Sequence, residues 1–173
     1  MPNRYVLLDR DGVINHDSED FIKSPEEWQP IDGSLEAIAL LNQHKYSVAV
    51  ISNQSGLARG LFDDAMLATI HAKMRRMLAE KGGEIAAIYY CPHAPDSQCN
   101  CRKPKPGLLE RFARENNVEL TSVNFIGDSL RDIQAAESVG SKPVLVKTGK
   151  GEETLINNPN LNIPVFKNLY AAA

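Results

Sequence analysis

The sequence predicts an α/β protein, a three-layer α/β/α sandwich built around a mostly parallel sheet. Five short apolar runs rich in β-branched residues alternate along the chain with longer segments of helical periodicity. Strands that are separated by helices favour right-handed crossovers and therefore parallel pairing. Several strand-like runs stop at Asp or Ser, which is typical of buried strands that deliver polar side chains to the carboxyl edge of a sheet.

The predicted strands are short and are bounded by polar or turn-forming residues. They run from Tyr5 to Asp9, Ser47 to Ser52, Ile85 to Tyr90, Val123 to Gly127 and Pro143 to Lys147. The tail from Gly149 to Ala173 contains one further apolar fragment, Ile163 to Phe166, interrupted by Pro164. Because proline is confined to edge strands, we interpret the tail as an edge strand or a strap across the sheet.

Four segments between the strands are predicted to be helical. In the first, Leu35, Ile38 and Leu41 recur at helical spacing, and Asp32 or Ser34 is available as a cap. The second follows Asp63 and Asp64, and its apolar stripe consists of Leu67, Ile70, Met74, Met77 and Leu78. The third and fourth run from about Gly107 to Asn116 and from about Arg131 to Val139, where Gly140 ends the helix.

Length and composition predict one domain over residues 1–173. The chain is 43% hydrophobic and 24% charged, which is enough for a sizeable core. The intervals from Gly12 to Ser52 and from Ser52 to Lys103 are filled by the predicted helices, strands and loops. An independent domain usually needs at least about fifty residues, so we expect no cap domain and an open site.

The charge balance gives no electrostatic reason to expect a nucleic-acid partner. The net charge is −3 and the pI is about 5.8, whereas binding a phosphate backbone needs clustered Lys and Arg. The opening residues MPNRYVLLD lack the apolar core of a signal peptide, and no apolar run approaches transmembrane length. We therefore expect a cytoplasmic monomer that binds neither nucleic acid nor a membrane.

Three aspartates follow predicted strands at distant points of the chain. Asp9 and Asp11 lie in YVLLDRDGV, and Asp128 lies in VNFIGDSLRD. A single Asp-Gly is equally typical of a polar turn, but two segments of matching chemistry favour convergence at the carboxyl edge of the sheet. Close carboxylates are costly unless a cation neutralises them, so the pattern predicts a hard divalent metal such as Mg²⁺.

Two further loops are suited to a phosphate group. After the second strand, Ser52, Asn53, Gln54 and Ser55 offer hydroxyl, amide and backbone donors, although the same residues also form ordinary turns. The segment CRKPKPG offers a cation, and spacing alone leaves Lys103 and Lys105 as alternatives. No partner is evident for His16, His44 or His71.

The cysteines and one histidine form a separate pattern. Cys91, His93, Cys99 and Cys101 lie in an eleven-residue window over 91–101. An odd number of cysteines in a cytoplasmic protein argues against disulfides. Three thiolates and an imidazole make a closed set for structural Zn²⁺, the alternative being free thiols in a loop with an exposed histidine.

Four motifs in this order, DRDGV, ISNQSG, CRKPKPG and GDSLRD, closely resemble the signature of the haloacid dehalogenase superfamily of phosphotransferases. A second set, NQSGLARG, YYCPH, CNCRKPKPG and LVKTGKG, resembles its D-glycero-D-manno-heptose 1,7-bisphosphate 7-phosphatase branch, whose relatives include histidinol-phosphate phosphatase. The resemblance extends from about Val6 to Gly151. It implies a Rossmann-like sheet of the capless haloacid dehalogenase type, and it strengthens the expectation of zinc.

The resemblance also implies roles for individual residues. Asp9 would attack phosphorus and form an aspartyl phosphate, and Asp11 would act first as general acid and then as general base. Mg²⁺ would be held by the carboxylates of Asp9 and Asp128 and by the backbone carbonyl of Asp11. Residues that would stabilise the phosphoryl group or hold the substrate are Ser52, Lys103 and Arg102. Asp132 would be an acceptor or a helix N-terminal charge rather than a ligand.

The expected reaction is Mg²⁺-dependent hydrolysis of the 7-phosphate of a heptose bisphosphate, in the formation of ADP- or GDP-heptose precursors. The acidic run Asp17, Ser18, Glu19 and Asp20 would meet sugar hydroxyls, although such runs are commonly only solvated. Histidinol phosphate is an alternative substrate. A zinc-dependent module that binds polynucleotide ends is an alternative from another class, but it leaves the complete catalytic set unexplained.

Overall fold

A computed structural model describes residues 3–173, and within this range six parallel strands form one sheet. In chain order the strands are β1 (Arg4–Leu8), β2 (Tyr46–Asn53), β3 (Ala87–Cys91), β4 (Asn124–Gly127), β5 (Lys142–Val146) and β6 (Val165–Phe166). Their order across the sheet is β3-β2-β1-β4-β5-β6. The predicted parallel sheet is confirmed. The strand order changes direction between β1 and β4, the place where open α/β sheets bind their ligands.

Helices connect the strands. They are α1 (Ser34–Gln43), α2 (Asp64–Glu80), α3 (Gly107–Asn116), α4 (Leu130–Ser138), α5 (Gly151–Asn157) and α6 (Leu169–Ala172), with 3₁₀ turns at Pro25–Glu27 and Leu120–Ser122. All four predicted helices are present, and the third matches α3 at both ends. Across residues 3–173, none of the helices has the length and apolar character needed to cross a membrane.

The two faces of the sheet are buried under separate apolar clusters. Neighbouring residues of a strand point to opposite faces, and Leu7 and Leu8 of β1 accordingly belong to different clusters. Helices α1 and α2 pack on the face of Leu8, where Ile70 is fully buried. Helices α3 and α4 pack on the face of Leu7, where Phe112 is fully buried. The predicted three-layer sandwich without a cap domain is therefore confirmed for the described residues.

The start of α1 differs from the prediction. Neither Asp32 nor Ser34 caps the helix, because the N-cap position is occupied by Gly33 and no side chain bonds there. Gly33 has a φ of 86°, a left-handed conformation that glycine adopts without strain. The Ser34 hydroxyl instead donates to the carbonyl of Val13 at 2.8 Å, which ties α1 to the loop after β1.

The tail contains one confirmed element and one unexpected element. β6 pairs in parallel with β5 at the edge of the sheet, as the edge-strand interpretation predicts. The sequence does not predict α5, because GEETLIN is short and mostly polar and lacks a periodic apolar stripe. The Thr154 hydroxyl of α5 donates to the carbonyl of Asp128 at 2.9 Å, so this helix supports the segment after β4.

Strand register brings the ends of β1 and β4 side by side. Leu8 of β1 pairs with Ile126 of β4. The backbone N–H of Asp9 then donates to the Ile126 carbonyl at 3.0 Å. Asp9 and Asp128 therefore emerge at the same edge of the sheet, at its change of direction.

Candidate active site

A cluster of carboxylates lies at the carboxyl edge of the sheet, between β1 and β4. Asp9, Asp128 and Asp132 each offer one oxygen atom, and these atoms all lie within 4.8 Å of one another. Asp9 directly follows β1, Asp128 directly follows β4, and Asp132 lies in the first turn of α4. The structure thus brings Asp9 and Asp128 together as predicted, and Asp11 lines the same cavity.

Burial and mutual repulsion raise the pKa values of two of these carboxyl groups. Burial is the largest cause for both Asp9 and Asp128, and the charge of Asp132 is the second. The pKa of Asp9 lies well above its ordinary value, and the pKa of Asp128 rises to about 7. A hard divalent cation relieves such repulsion and accepts carboxylate oxygens as ligands. The residues at this edge therefore fit Mg²⁺.

The loop after β1 packs directly against Asp128. Gly12 has a φ of 85°, and a Cβ atom at this position would overlap the Asp128 carboxylate. Only glycine allows this approach, which brings the backbone beside Asp11 to the acidic cluster. On another side, the backbone N–H of Lys150 donates to Asp128 Oδ2 at 2.9 Å. These contacts fix the orientation of the Asp128 carboxylate.

Lys103, rather than Lys105, is the cation beside Asp9. Lys103 is 2% exposed, and its Nζ lies 2.7 Å from Asp132 Oδ1 and 3.1 Å from Asp9 Oδ1. Its third contact is the carbonyl of Ile51 at 2.8 Å. Burial opposes the charge of Lys103, but Asp132 and Asp9 outweigh burial and raise its pKa. Lys105 is exposed, and its Nζ donates to the carbonyl of Cys99.

Asp132 orients its neighbours at the start of α4. Its Oδ1 accepts from Lys103, and its Oδ2 accepts from the backbone N–H groups of Asp128 and Ser129 at 3.2 and 3.3 Å. The Ser129 hydroxyl donates to the same oxygen at 3.0 Å, within a capping box. Both oxygens are therefore engaged by protein donors, in line with the expectation that Asp132 is an acceptor and a helix N-terminal charge.

Asp11 has one oxygen that is engaged by donors and one that is nearly free. Its Oδ1 accepts from Arg10 Nε and from Asn15 Nδ2, both at 2.9 Å. Its Oδ2 has a longer contact of 3.3 Å with Gln54 Nε2. Burial acts to raise the pKa of Asp11, but the Arg10 guanidinium outweighs burial and the pKa is lowered. Proton transfer at this residue is therefore expected at Oδ2.

Sequence reasoning missed the support behind Asp11, which consists of Arg10 and His71. Arg10 is completely buried, and its Nη1 lies 3.2 Å from His71 Nε2 on α2. Because a guanidinium only donates, the imidazole nitrogen must accept and His71 is neutral. Burial first, and the charge of Arg10 second, lower the pKa of His71 to about 3. The sequence signal for a buried His71 is its place within the apolar stripe of α2, between Ile70 and Met74.

Neutral burial of His71 predicts a loss of stability in acid. The folded pKa of about 3 lies below the unfolded value of 6.5, so unfolding takes up a proton between these values. The contribution of neutral His71 to the free energy of unfolding is complete above pH 6.5 and is lost progressively as the pH falls. Between pH 7 and 4.5, urea unfolding should show the wild type losing about 2 kcal/mol more than H71Q. Parallel pH dependence of the two proteins would contradict a neutral, buried His71.

The cavity above the carboxylates has a volume of about 240 Å³. Of the predicted substrate-binding residues, those that line it are Asp17, Ser18, Glu19, Asn53, Gln54, Ser55, Arg102 and Lys103. Asp20 is not among the lining residues: its backbone N–H donates to the Ser18 hydroxyl, its carbonyl accepts from Lys23 Nζ, and its side chain is exposed. The structure therefore does not support the expected contact between Asp20 and a sugar.

The sequence predicts that Ser52 and Asn53 bind a phosphate group, but both side chains make hydrogen bonds within the protein. Ser52 is 1% exposed and does not line the cavity, and its Oγ accepts from Gln54 Nε2 at 2.8 Å. Its own O–H proton is left for another acceptor. Asn53 lines the cavity, but its amide clamps the backbone of Lys103, accepting from the N–H at 3.0 Å and donating to the carbonyl at 3.2 Å. Asn53 thus holds Lys103 in position.

Three arginines line the cavity, and only Arg102 was predicted to do so. Arg102 Nη1 is buried without a hydrogen-bond partner. Burial lowers the pKa of Arg102, and the charges of Arg131 and Arg59 lower it further. None of the ion pairs within residues 3–173 involves these three side chains. Their positive charge is therefore available to an anion. The signal for Arg59 and Arg131 is their place within the motifs NQSGLARG and GDSLRD.

The four predicted zinc ligands converge at the end of β3. Cys91 Sγ lies 2.9 Å from Cys101 Sγ and 3.7 Å from Cys99 Sγ, and His93 Nδ1 lies 3.3 Å from Cys101 Sγ. These sulfur separations exceed the disulfide length of about 2.0 Å, and the three cysteines are free. The donor atoms lie within 4.8 Å of one another. Three thiols and one imidazole without a carboxylate fit structural Zn²⁺.

The sulfur cluster is connected directly to the cationic part of the cavity. Cys101 immediately precedes Arg102 and Lys103. The backbone N–H of Gly107, the first residue of α3, donates to the Asn100 carbonyl at 2.8 Å. A Cβ atom on Gly107 would overlap that carbonyl, so the close contact requires glycine. The loop is therefore tied at one end to β3 and at the other to α3.

Comparison with known sequences identifies relatives over the full chain. A family model described as HAD-hydrolase-like matches residues 100–172. The D-glycero-beta-D-manno-heptose-1,7-bisphosphate 7-phosphatase of Pseudomonas aeruginosa is 50% identical over 173 residues, which are 100% of this chain and 97% of that protein. The enzyme of the same name from Bordetella bronchiseptica is 55% identical over 152 residues, 88% of this chain and 85% of that protein.

Solved structures agree with the sequence comparison. The D,D-heptose 1,7-bisphosphate phosphatase of B. bronchiseptica, complexed with magnesium and phosphate, has a TM-score of 0.95 and 51% identity. The similarity covers 98% of this chain and 95% of that one. The corresponding phosphatase from Burkholderia thailandensis has a TM-score of 0.77 and 39% identity over the same shares of the two chains.

Proposed function

Because the chain belongs to the D-glycero-β-D-manno-heptose-1,7-bisphosphate 7-phosphatase family of HAD-like hydrolases, we propose that it hydrolyses the 7-phosphate of this sugar bisphosphate through an aspartyl phosphate. The observation that carries the proposal is Asp9, a half-buried carboxylate held by Lys103 at the edge of a cavity. The free charge of three arginines in the same cavity suits the second phosphate.

Asp9 is the nucleophile in this proposal. The Lys103 ammonium and the backbone N–H of Arg10 both contact Asp9 Oδ1, at 3.1 and 2.8 Å. Oδ2 is therefore the oxygen that attacks phosphorus. A bond forms between Oδ2 and phosphorus while the bond from phosphorus to the C7 oxygen breaks, which divides one hydrolysis into two displacements. Lys103 keeps the attacking carboxylate in one orientation.

Asp11 moves the proton in both displacements. The Oδ2 atom of Asp11 gives its proton to the departing C7 oxygen, which becomes a hydroxyl group. The resulting carboxylate then takes a proton from the water that attacks phosphorus, and Asp9 is released with inorganic phosphate. The dianionic phosphate group opposes ionisation of Asp11, so the proton is taken up as substrate binds, although Arg10 keeps the pKa low in the free protein.

Mg²⁺ would be held by the carboxylates of Asp9 and Asp128 and by the backbone carbonyl of Asp11, where it would neutralise charge on the transferring phosphoryl group. Zn²⁺ would be held by Cys91, His93, Cys99 and Cys101 and would fix the loop that carries the cavity cations. In this proposal the Lys103 ammonium stabilises the transferring phosphoryl group from its position beside Asp9. Ser52 is buried outside the cavity lining, so it would act on the site through Gln54, whose Nε2 donates to the Ser52 Oγ at 2.8 Å.

The arginines favour a bisphosphate over histidinol phosphate, the second candidate substrate. Arg102, Arg131 and Arg59 line the cavity with no carboxylate paired to them among residues 3–173. A second phosphate group would pair with these guanidiniums. Histidinol phosphate instead carries an ammonium group away from its phosphate, which the same charges repel.

Substrate selectivity tests this proposal. Heptose 1,7-bisphosphate, fructose 1,6-bisphosphate and histidinol phosphate are compared by kcat/KM, and the first should be highest. R102Q should lower kcat/KM for the heptose bisphosphate by about tenfold and should leave kcat/KM for histidinol phosphate equal to or above the wild-type value. R76Q, which removes the same charge from the exposed face of α2, is the control. A tenfold advantage for histidinol phosphate would contradict the assignment.

We further propose that residues 1–173 act as one phosphatase domain with its zinc loop at 91–101, as a cytoplasmic monomer that supplies precursors of ADP- or GDP-heptose. Its partner is a small sugar bisphosphate, and no nucleic acid or membrane is involved. The net charge of the chain, −3, supports the absence of a nucleic-acid partner, because a nucleic-acid backbone would need a continuous basic face.

A further inference from the structure

We propose that His71 is a positioning residue for Asp11, and that it acts through the buried side chain of Arg10. The proposal rests on the proposed function, in which Asp11 is the general acid and base. His71 lies on α2, sixty-one positions after Arg10 in the chain, and it does not line the catalytic cavity. Its effect on the reaction would therefore be transmitted entirely by the guanidinium that lies between the two.

The Arg10 guanidinium is directed into the protein, away from any substrate. Arg10 is 0% exposed and does not line the cavity, although it lies between Asp9 and Asp11 in the chain. Its Nε and Nη2 lie 2.9 and 2.8 Å from Asp11 Oδ1. Its charge therefore serves the Asp11 carboxylate rather than a bound phosphate.

His71 supplies the acceptor that this orientation requires. Within the described part of the chain, the Arg10 guanidinium has two side-chain acceptors, the Asp11 carboxylate and the His71 imidazole. Nε2 of His71 lies 3.2 Å from Nη1 of Arg10. Nη2 already has no aligned hydrogen bond. Without His71, a second guanidinium nitrogen would be buried without a partner, and burial of an unpaired donor on a charged group is costly. The Arg10 side chain would then rotate toward another acceptor, or a water molecule would enter and bind the unpaired nitrogen.

The histidine itself is held rigidly. Asp63 caps α2 by accepting from the Met66 N–H at 2.8 Å, and Ile70 and Met74 on either side of His71 are fully buried. The ring of Tyr90 on β3 packs beside the imidazole, with ring centroids 6.3 Å apart. A fixed helix therefore presents the acceptor to Arg10 at a constant place.

Misplacing Asp11 should affect some substrates more than others. Oδ1 of Asp11 is pinned by Arg10 and Asn15, which leaves Oδ2 facing the departing group. If Arg10 turns, the carboxyl group is free to rotate and the proton donor is misplaced. A sugar alkoxide needs that proton in order to leave, whereas p-nitrophenolate leaves without it. In the first displacement, the loss of rate should therefore be large for a sugar phosphate and small for p-nitrophenyl phosphate.

The experiment measures kcat/KM for both substrates in the wild type, H71L and H71Q, because kcat/KM reports the first displacement and not the hydrolysis of the aspartyl phosphate that both substrates share. H71L should lower kcat/KM for heptose 1,7-bisphosphate at least about tenfold and kcat/KM for p-nitrophenyl phosphate less than about threefold. H71Q places an amide oxygen near the Nε2 position and should restore the sugar substrate to within about threefold of the wild type. H44L, which changes an exposed histidine at the end of α1, is the control.

The ratio of the two rates is independent of the fraction of protein that is folded. If H71L does not fold, H71M, which keeps the side-chain volume better, gives the same ratio. Equal losses for both substrates, or no loss for either, would overturn the positioning role. Failure of the wild type to hydrolyse the heptose bisphosphate would instead overturn the proposed function, and the ratio would then be measured with any alkyl phosphate that the wild type hydrolyses.

Discussion

Replacing Asp9 with Asn is expected to abolish phosphatase activity, with kcat lower by at least about 10³-fold. The amide cannot form the acyl phosphate, because its oxygen is a far weaker nucleophile than a carboxylate oxygen. Folding should be retained, since Lys103 keeps its contacts with Asp132 Oδ1 at 2.7 Å and with the Ile51 carbonyl at 2.8 Å. Steady-state kinetics and thermal unfolding of the D9N protein measure the two effects separately.

D20N is the matched control for D9N. It makes the same chemical change in the loop after β1, at an exposed residue outside the cavity, and activity should stay within about twofold of the wild type. A protein that binds polynucleotide ends without turnover would retain its binding in D9N. Such an outcome, together with an inactive wild type, would favour the binding module over the enzyme.

Removing zinc should lower kcat/KM for the heptose bisphosphate about 10- to 100-fold while the Mg²⁺ site still binds its ion. Cys101 directly precedes Arg102 and Lys103, so the sulfur cluster holds one end of the segment that carries both cations. The proposed Mg²⁺ ligands lie on the other side of the site, after β1 and β4. The variant C99S tests this, with kcat/KM and Mg²⁺ titration calorimetry as readouts.

Q98S is the control for C99S, because it changes the exposed neighbour of Cys99 and leaves the four proposed zinc ligands intact. Metal analysis of the wild type purified without chelator should find close to one equivalent of zinc. Less than about a tenth of an equivalent would contradict a structural zinc site, since such sites bind tightly at neutral pH. Loss of Mg²⁺ binding in C99S would contradict the separation of the two metal sites.

Residues whose role follows from strand ends or from short spacing are predictable from the sequence. Asp9 and Asp128 each terminate an apolar run, and parallel pairing alone places them at one edge. Cys91, His93, Cys99 and Cys101 lie close together in the chain, so their convergence requires only a turn in one loop. These features depend on local sequence and on one general property of the fold.

Features that depend on distant packing are not predictable in the same way. Lys103 and Lys105 are two positions apart, and only the folded loop shows that Lys103 is buried beside Asp9 while Lys105 is exposed. The contact between Arg10 and His71 joins the loop after β1 to α2, and no periodicity in the sequence predicts it. Helix α5 is too short and polar to carry an apolar signature, because only Gly151 and Thr154 are buried.

The central claim is that the phosphoryl group passes through Asp9, and the stereochemical course at phosphorus tests it most directly. A substrate whose 7-thiophosphate is made chiral with oxygen isotopes is hydrolysed in isotopically labelled water, and the configuration of the released thiophosphate is determined. Two successive in-line displacements, first by Asp9 and then by water, predict net retention. Net inversion would mean that water attacks the substrate in a single step, and would contradict the covalent intermediate.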